Sequence, residues 1–330
     1  MEEHAVPRWP VAGHEWAVRQ LARAIDENRL GQAYLITGPP RIGKATLALA
    51  LAMAIECTGP ARPCGRCRAC VRIATHTHAD TRLIAPDGDR LKIDQIRELQ
   101  RELALAPLEA RQRVAILNDF ERATPEAMNA LLKTLEEPPS HAVLILIATE
   151  ADALLSTIVS RCQVIGLRPL TTAQVRQALI ADEGVSAERA ELLAHLSGGR
   201  MGWAIEAARD ASVLEKRAAR IEAAQRLMGA SRVERFAYAE ALARSPAEAR
   251  DTIDTWRTWW RDVMLAAGGS RAHLTHIDRA DQIAALAARL DLQRARAAAD
   301  ACSQALWQLD KNATPRLVIE VLLLTLPSAA

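Results

Sequence analysis

Gly38-Pro-Pro-Arg-Ile-Gly-Lys-Ala-Thr46 carries the glycines and the lysine of a phosphate-binding loop, G-x-x-x-x-G-K-[ST], with one part replaced. In that motif backbone N–H groups at a helix N-terminus cradle phosphates, and the lysine reaches the terminal ones. Gly38, Gly43 and Lys44 are in place, but Ala45 stands where a Ser or Thr hydroxyl normally ligates Mg²⁺. Thr46 comes one residue late, turned by about 100° around a helix from that position. It can touch a phosphate but is poorly aimed at a metal. Asn118-Asp119 is a second incomplete pair, at the end of an apolar run. Nucleotide-hydrolysing sheets place there an Asp that helps hold Mg²⁺, followed by an acid that orients water. Here a neutral amide and a short acid take those places. Lys44 and the loop amides are compatible with bound ATP or ADP, whereas Mg²⁺ is expected to bind poorly.

Cys57, Cys64, Cys67 and Cys70 form the other chemical group, with six, two and two residues between them. Four thiolates in a Pro- and Gly-bearing loop suit a tetrahedral structural Zn²⁺. The C-x₂-C-x₂-C run also begins like a bacterial iron–sulfur motif, but its C-x₃-C-P continuation is missing. A metal-free cluster is the third reading. His76 and His78 lie nearby and read as surface or packing residues, because four cysteines already close such a site.

Elements that could position these groups alternate along the first half. A helix is expected over His14 to Arg29, ended by Leu30-Gly31, then a buried strand over Ala33 to Thr37. An Ala/Leu-rich helix follows from Leu47 to Ile55, and further strands are expected over Thr81 to Ala85, Arg113 to Leu117, Val143 to Ala148 and Gln163 to Leu167. Asp94 is expected to cap a helix that faces inward through Ile96, Leu99 and Leu103. Thr124-Pro125 opens another helix, which runs to Leu135. Beyond Arg168-Pro169 almost everything reads as helical. Thr171-x-x-Gln174 and Ser245-x-x-Glu248 are capping boxes, and Gly198-Gly199 stops a helix. The spacing of Trp256, Trp259 and Trp260 puts them on one helix face, where packing is favoured over base stacking.

The 330 residues allow two or three domains. Net charge is +2, from 42 basic against 40 acidic residues, so no global field draws the chain onto nucleic acid and any such contact needs a local patch. No signal peptide opens the sequence, and the most apolar stretch, Leu317 to Leu326, is short and contains Glu320. A soluble, cytoplasmic protein with no membrane partner is expected. Clustered cysteines in that compartment point to a metal before disulfides.

With these residues in view, the chain resembles the delta-prime family of subunits of the bacterial DNA polymerase III clamp loader. The likeness rests on the Cys-rich insert, on Asn129-Ala-Leu-Leu-Lys-Thr-Leu-Glu-Glu-Pro-Pro139, on Ser160-Arg161-Cys162 and on Thr314-Pro-Arg-Leu-Val-Ile-Glu320. It implies an α/β AAA+ P-loop module, a parallel sheet flanked by helices, over 1–168 with a zinc insert at 57–70. A small helical lid over 169–210 and an all-α collar for oligomerisation over 211–330 would follow. It implies a five-subunit ring with tau or gamma subunits and delta, which loads the sliding clamp onto primed DNA as part of the DNA polymerase III holoenzyme. Such a subunit is a nucleotidyltransferase component by association and a poor or absent ATPase itself. The resemblance makes Arg161, flanked by Ser160 and Cys162, an arginine finger lent to a neighbour's site. It makes Gly38, Gly43, Lys44 and Thr46 a degenerate Walker A motif, Asn118-Asp119 a degenerate Walker B motif, and Thr149 the sensor 1 position. Trp203 aligns with the sensor 2 arginine of active relatives, unless Arg200 takes that role. Two other readings remain at this point. A tau/gamma-type motor would need a hydroxyl after Lys44 and an Asp-Glu pair at 118–119. A zinc-dependent DNA-binding protein would need a basic, aromatic-studded surface, for which Arg66, Arg68 and Arg72 are the local hint.

Overall fold

The computed structural model describes residues 9–311 and 313–327, which divide into two compact units. The first holds the chain up to Ala178 together with Gly199–Trp203; the second holds Leu179–Gly198 and the chain from Ala204 onward.

The first unit is built on five parallel strands, β1 (Ala33–Thr37), β2 (Thr81–Ile84), β3 (Arg113–Leu117), β4 (Ala142–Ala148) and β5 (Gln163–Gly166), in the order β2-β3-β4-β1-β5. The three inner strands are buried at every position and the two edge strands are not. That explains the continuous apolar runs of the inner strands, since a parallel sheet is covered on both faces. Strand alternation sorts the side chains between two cores: Tyr34, Ile36, Val114 and Ile116 belong to one, Leu35, Ala115 and Leu117 to the other. On the first face lie α1 (Glu15–Asp26), through Ala17, Val18 and Leu21, and α2 (Lys44–Glu56). Helix α2 is buried nearly all round, which its run of Ala and Leu permits. The cysteine insert adds a short helix, α3 (Arg68–Ala74), on the same side. On the second face lie α4 (Ile93–Leu103) and α5 (Pro125–Glu136), with the single turn α6 (Ser156–Val159) leading into β5.

Two local expectations shift. Helix α4 starts earlier than expected: Lys92 is its N-cap and Asp94 sits in its first turn, where an acid still favours the helix dipole. Helix α2 begins at Lys44, so the glycine loop runs directly into its N-terminus.

Three helices, α7 (Thr172–Glu183), α8 (Ala187–Ser197) and α9 (Met201–Arg209), are divided between the two units. Helix α8 stops where Gly198 takes a left-handed conformation, φ 57°. The second unit continues through α10 (Ser212–Met228), α11 (Arg232–Ala243), α12 (Pro246–Ala267), α13 (Ala280–Ala287), α14 (Leu292–Asp310) and α15 (Pro315–Thr325). Helix α12 runs through its core. Trp256, Trp259 and Trp260 are all completely buried there, so they pack and do not stack on bases.

Candidate functional site

The phosphate loop lies at the C-terminal end of β1, the end at which parallel sheets bind ligands. Gly38 has φ 145°, and a Cβ there would meet the Leu167 carbonyl oxygen at 2.7 Å, so only glycine fits. Gly43, at φ 112°, is the N-cap of α2. Gly202, at the start of α9, donates its N–H to the Arg41 carbonyl at 2.8 Å, and a Cβ on it would come within 2.7 Å of that oxygen. Gly202 is thus held against the loop by bare backbone, and its neighbour Trp203 is buried.

Lys44 is turned inward. Its Nζ donates to the carbonyls of Gly38 at 2.6 Å and Pro39 at 3.0 Å, and only 9% of the residue is exposed. Burial lowers its pKa, against the opposing fields of Glu121 and Asp119. Ala45 and Thr46 are exposed on the first turn of α2. At the end of β3, Asn118 is half-buried and Asp119 exposed, with φ 46°. The loop therefore offers backbone donors and one ammonium to a phosphate, and neither of the usual first ligands to Mg²⁺.

Sequence reasoning missed Glu121. It sits on a single 3₁₀ turn after β3, accepts the Thr149 N–H through Oε1 at 3.2 Å, and leaves Oε2 buried without a hydrogen-bond partner. Burial raises its pKa, against hydrogen bonds from its own backbone and Thr149. Together these contacts bring the Thr149 backbone beside the carboxylate that faces Lys44. The only local signal was an acid two residues beyond the strand-end pair.

The four thiols converge. The Sγ atoms of Cys57, Cys64, Cys67 and Cys70 all lie within 4.8 Å of one another, with Cys57 and Cys67 4.0 Å apart. Zn–S bonds of about 2.3 Å in a tetrahedron require sulfur separations of about 3.8 Å, so a small contraction closes the site. Backbone N–H groups already point at the sulfurs: Gly59 and Cys64 at Cys57, and Cys67 at Cys64, each at 3.3 Å. Cys70 N–H reaches the Cys67 sulfur at 3.5 Å, making Cys67 the N-cap of α3. Burial pushes the Cys67 thiol up, but hydrogen bonds led by the Cys70 N–H outweigh it and bring it down to about 6. The donor set fits a tetrahedral metal such as Zn²⁺. His76 is exposed and His78 is buried beside Asp80, both outside the thiol cluster.

Arg161 is at the other end of the sheet. It precedes β5, whose Gln163 pairs with Tyr34 and whose Gly166 pairs with Thr37, so it lies at the N-terminal ends of the strands, away from the loop of its own chain. Its guanidinium donates to Glu136 Oε1 at 2.7 Å and to the Thr157 carbonyl at 2.9 Å, and the residue is exposed. Ser160 donates to the same Thr157 carbonyl, while Cys162 packs against the core with its thiol raised to about 11 by burial. The structure brings Lys44, Asp119, Glu121 and Thr149 to one end and keeps Arg161 apart from them.

A parallel sheet in this order, with a glycine loop running into a helix and an acid-bearing turn after β3, defines an AAA+-type P-loop module. Residues 13–171 match the model of a family described as DNA polymerase III, delta subunit. The chain is 37% identical over 202 residues to the DNA polymerase III subunit delta' of Bacillus subtilis, which is 61% of each chain. It is 36% identical over 172 residues to DNA polymerase III subunit tau of Escherichia coli, 51% of this chain and 26% of that one. Among solved structures it is similar to a DNA polymerase III gamma subunit-related protein of Thermotoga maritima, with 20% identity, TM-score 0.47, and 93% of this chain and 97% of that one covered. The chain thus spans less than two thirds of the length of these named B. subtilis and E. coli relatives. The resemblance to the delta-prime subunit, first carried by the motifs, stands on this family match and this relative. Among the described residues no helix is long and apolar enough to cross a membrane.

Proposed function

We propose that this chain is the delta-prime subunit of a DNA polymerase III clamp loader. In this reading it is a non-hydrolysing or weakly hydrolysing AAA+ subunit in a five-subunit ring with tau or gamma subunits and delta. It lends Arg161 to the site of an adjacent motor subunit and helps place the sliding clamp on primed DNA, in the cytoplasm. The observation that carries the reading is the division of one sheet. At one end is a phosphate loop without its magnesium ligands; at the other is an exposed arginine on a partner it can exchange. Cys57, Cys64, Cys67 and Cys70 hold one structural Zn²⁺, which braces the 57–70 loop and takes no part in hydrolysis. The module over 1–168, the lid over 169–210 and the collar over 211–330 are the parts proposed to act in the ring. A tau/gamma-type motor would need the two metal ligands that Ala45 and Asn118 replace.

Native mass spectrometry of the chain mixed with tau or gamma and delta subunits tests this directly. A ring containing one copy of this chain is expected. If the chain stays alone, or enters the ring in place of a motor subunit, the reading fails.

A further inference from the structure

The outer stripe of α1 has no role in the reading above. Its inner residues Ala17, Val18, Leu21 and Ala22 are buried in the core. Outward, at helical spacing, stand Trp16, Arg19, Gln20 and Arg23, and with Glu27 and Arg29 they border an open crease of about 430 Å³. Five of the seven tryptophans are buried, but Trp16 is 45% exposed, so core packing does not account for it. The other exposed indole, Trp307, has Ser303, Gln304, Asp310 and Lys311 one turn away and no arginine.

Charge selects the occupant. Three guanidinium groups face one carboxylate, and that carboxylate, Glu27, is already paired with Arg29. No described carboxylate pairs with Arg19 or Arg23. Apart from Glu27 the crease carries no negative side chain, which favours a phosphodiester over a peptide surface carrying both signs. Arg19 and Arg23 are about 6 Å apart along the helix axis, close to the spacing of neighbouring phosphates on an extended strand. Trp16 lies one turn before Arg19 and offers a flat face to a base. An aromatic platform beside a basic track is how single strands are held without sequence preference.

We propose that this face of α1 binds single-stranded nucleic acid, with Trp16 stacking on a base and Arg19 and Arg23 meeting the phosphates. It is independent of Arg161 and of ring membership.

The test is fluorescence anisotropy of a labelled oligo(dT) of about 20 nucleotides with the full chain, starting at about 50 mM salt and repeated at rising salt. The double variant R19E/R23E is expected to weaken binding at least about tenfold. It should also flatten the slope of log affinity against log salt by about 1.4, for two lost phosphate contacts. Trp16→Ala should weaken binding by about fivefold to a hundredfold and leave the slope unchanged, and Trp16→Phe should recover most of the loss. The control R294E/R296E makes the same charge change on exposed positions of α14 and should bind as wild type. All five substituted positions lie at the surface, and unchanged circular dichroism and melting temperature verify folding. The proposal is overturned if the wild-type chain does not bind, if Trp16→Ala binds equally well, or if the control weakens binding as much as R19E/R23E. Protection of this face by a protein subunit in the assembled ring, without oligonucleotide binding by the free chain, would also overturn it.

Discussion

Arg161→Ala separates a structural arginine from a functional one by magnitude. In this structure the residue's main interaction is its pair with Glu136, between side chains 34% and 51% exposed, with a further bond to the Thr157 carbonyl. An ion pair that wet contributes about 0.2–1 kcal/mol. In a unit of this size that moves the melting temperature by no more than about 4 °C. An arginine finger supplied in trans is worth about 10³–10⁵ in rate, or roughly 4–7 kcal/mol of transition-state stabilisation. The rate effect should therefore exceed the stability effect several-fold. The assay is single-turnover ATP hydrolysis in reconstituted rings in which only the adjacent motor subunit is competent. Arg161→Ala should assemble normally and hydrolyse at least about a thousandfold more slowly. Arg161→Lys should recover little, because a point charge lacks the planar fork that matches phosphoryl oxygens. Glu136→Gln frees the guanidinium without removing it and should leave hydrolysis close to wild type. Wild-type hydrolysis by the alanine variant refutes the finger and leaves Arg161 a surface residue.

Elemental analysis of protein purified without chelators should find one zinc per chain, released as pH falls because all four thiols must be deprotonated to ligate; finding none rejects the metal. The isolated chain should hydrolyse ATP at background, and robust turnover abolished by Lys44→Ala would establish a motor in its place. Glu121 has a raised pKa in the fold, so its ionised form is disfavoured there, and its contribution to stability is greatest below the unfolded value and lost as pH rises through the folded one. Glu121→Gln keeps an acceptor for the Thr149 N–H and should melt higher than wild type at pH 7–8. That difference should shrink toward the ordinary carboxyl value of 4.5 and vanish below it; a difference that does not change with pH contradicts the burial argument.

The sheet, the loop and the thiol cluster were legible because each depends on local spacing. Inner strands read as unbroken apolar runs, and four cysteines within fourteen residues limit how far apart their sulfurs can be. Features that depend on distant chain were not legible. Glu121 becomes part of the site only because β4 brings the Thr149 N–H to it from 28 residues away. Helix α3 was missed because its N-cap is a thiol, Cys67, and Cys is absent from the usual capping residues. Trp16 lay in a correctly expected helix, but its outward direction follows from which side of α1 meets the sheet.

Under the proposed function, the polarity of a parallel sheet lets the loop lack its magnesium ligands while Arg161 keeps its role. Loops that bind ligands gather at the C-terminal ends of the strands, where Gly38, Lys44 and Asn118 lie. Arg161 enters β5 from the opposite end, with the four residues Gln163–Gly166, about 13 Å of strand, between it and the loop side. Ala45 and Asn118 can therefore lower metal affinity without touching Arg161, Glu136 or the turn that holds them. In a ring joined head to tail each interface sets unlike faces together, so the face of one module that carries such an arginine can meet the loop side of the next. Under the proposed function this chain contributes half of a catalytic site that it does not complete in itself. Restoring both magnesium ligands by Ala45→Thr with Asn118→Asp should then leave the adjacent subunit's hydrolysis unchanged. A change at that neighbouring site would mean that the two ends of the sheet are coupled, and that the arginine's role is not separable from its own loop.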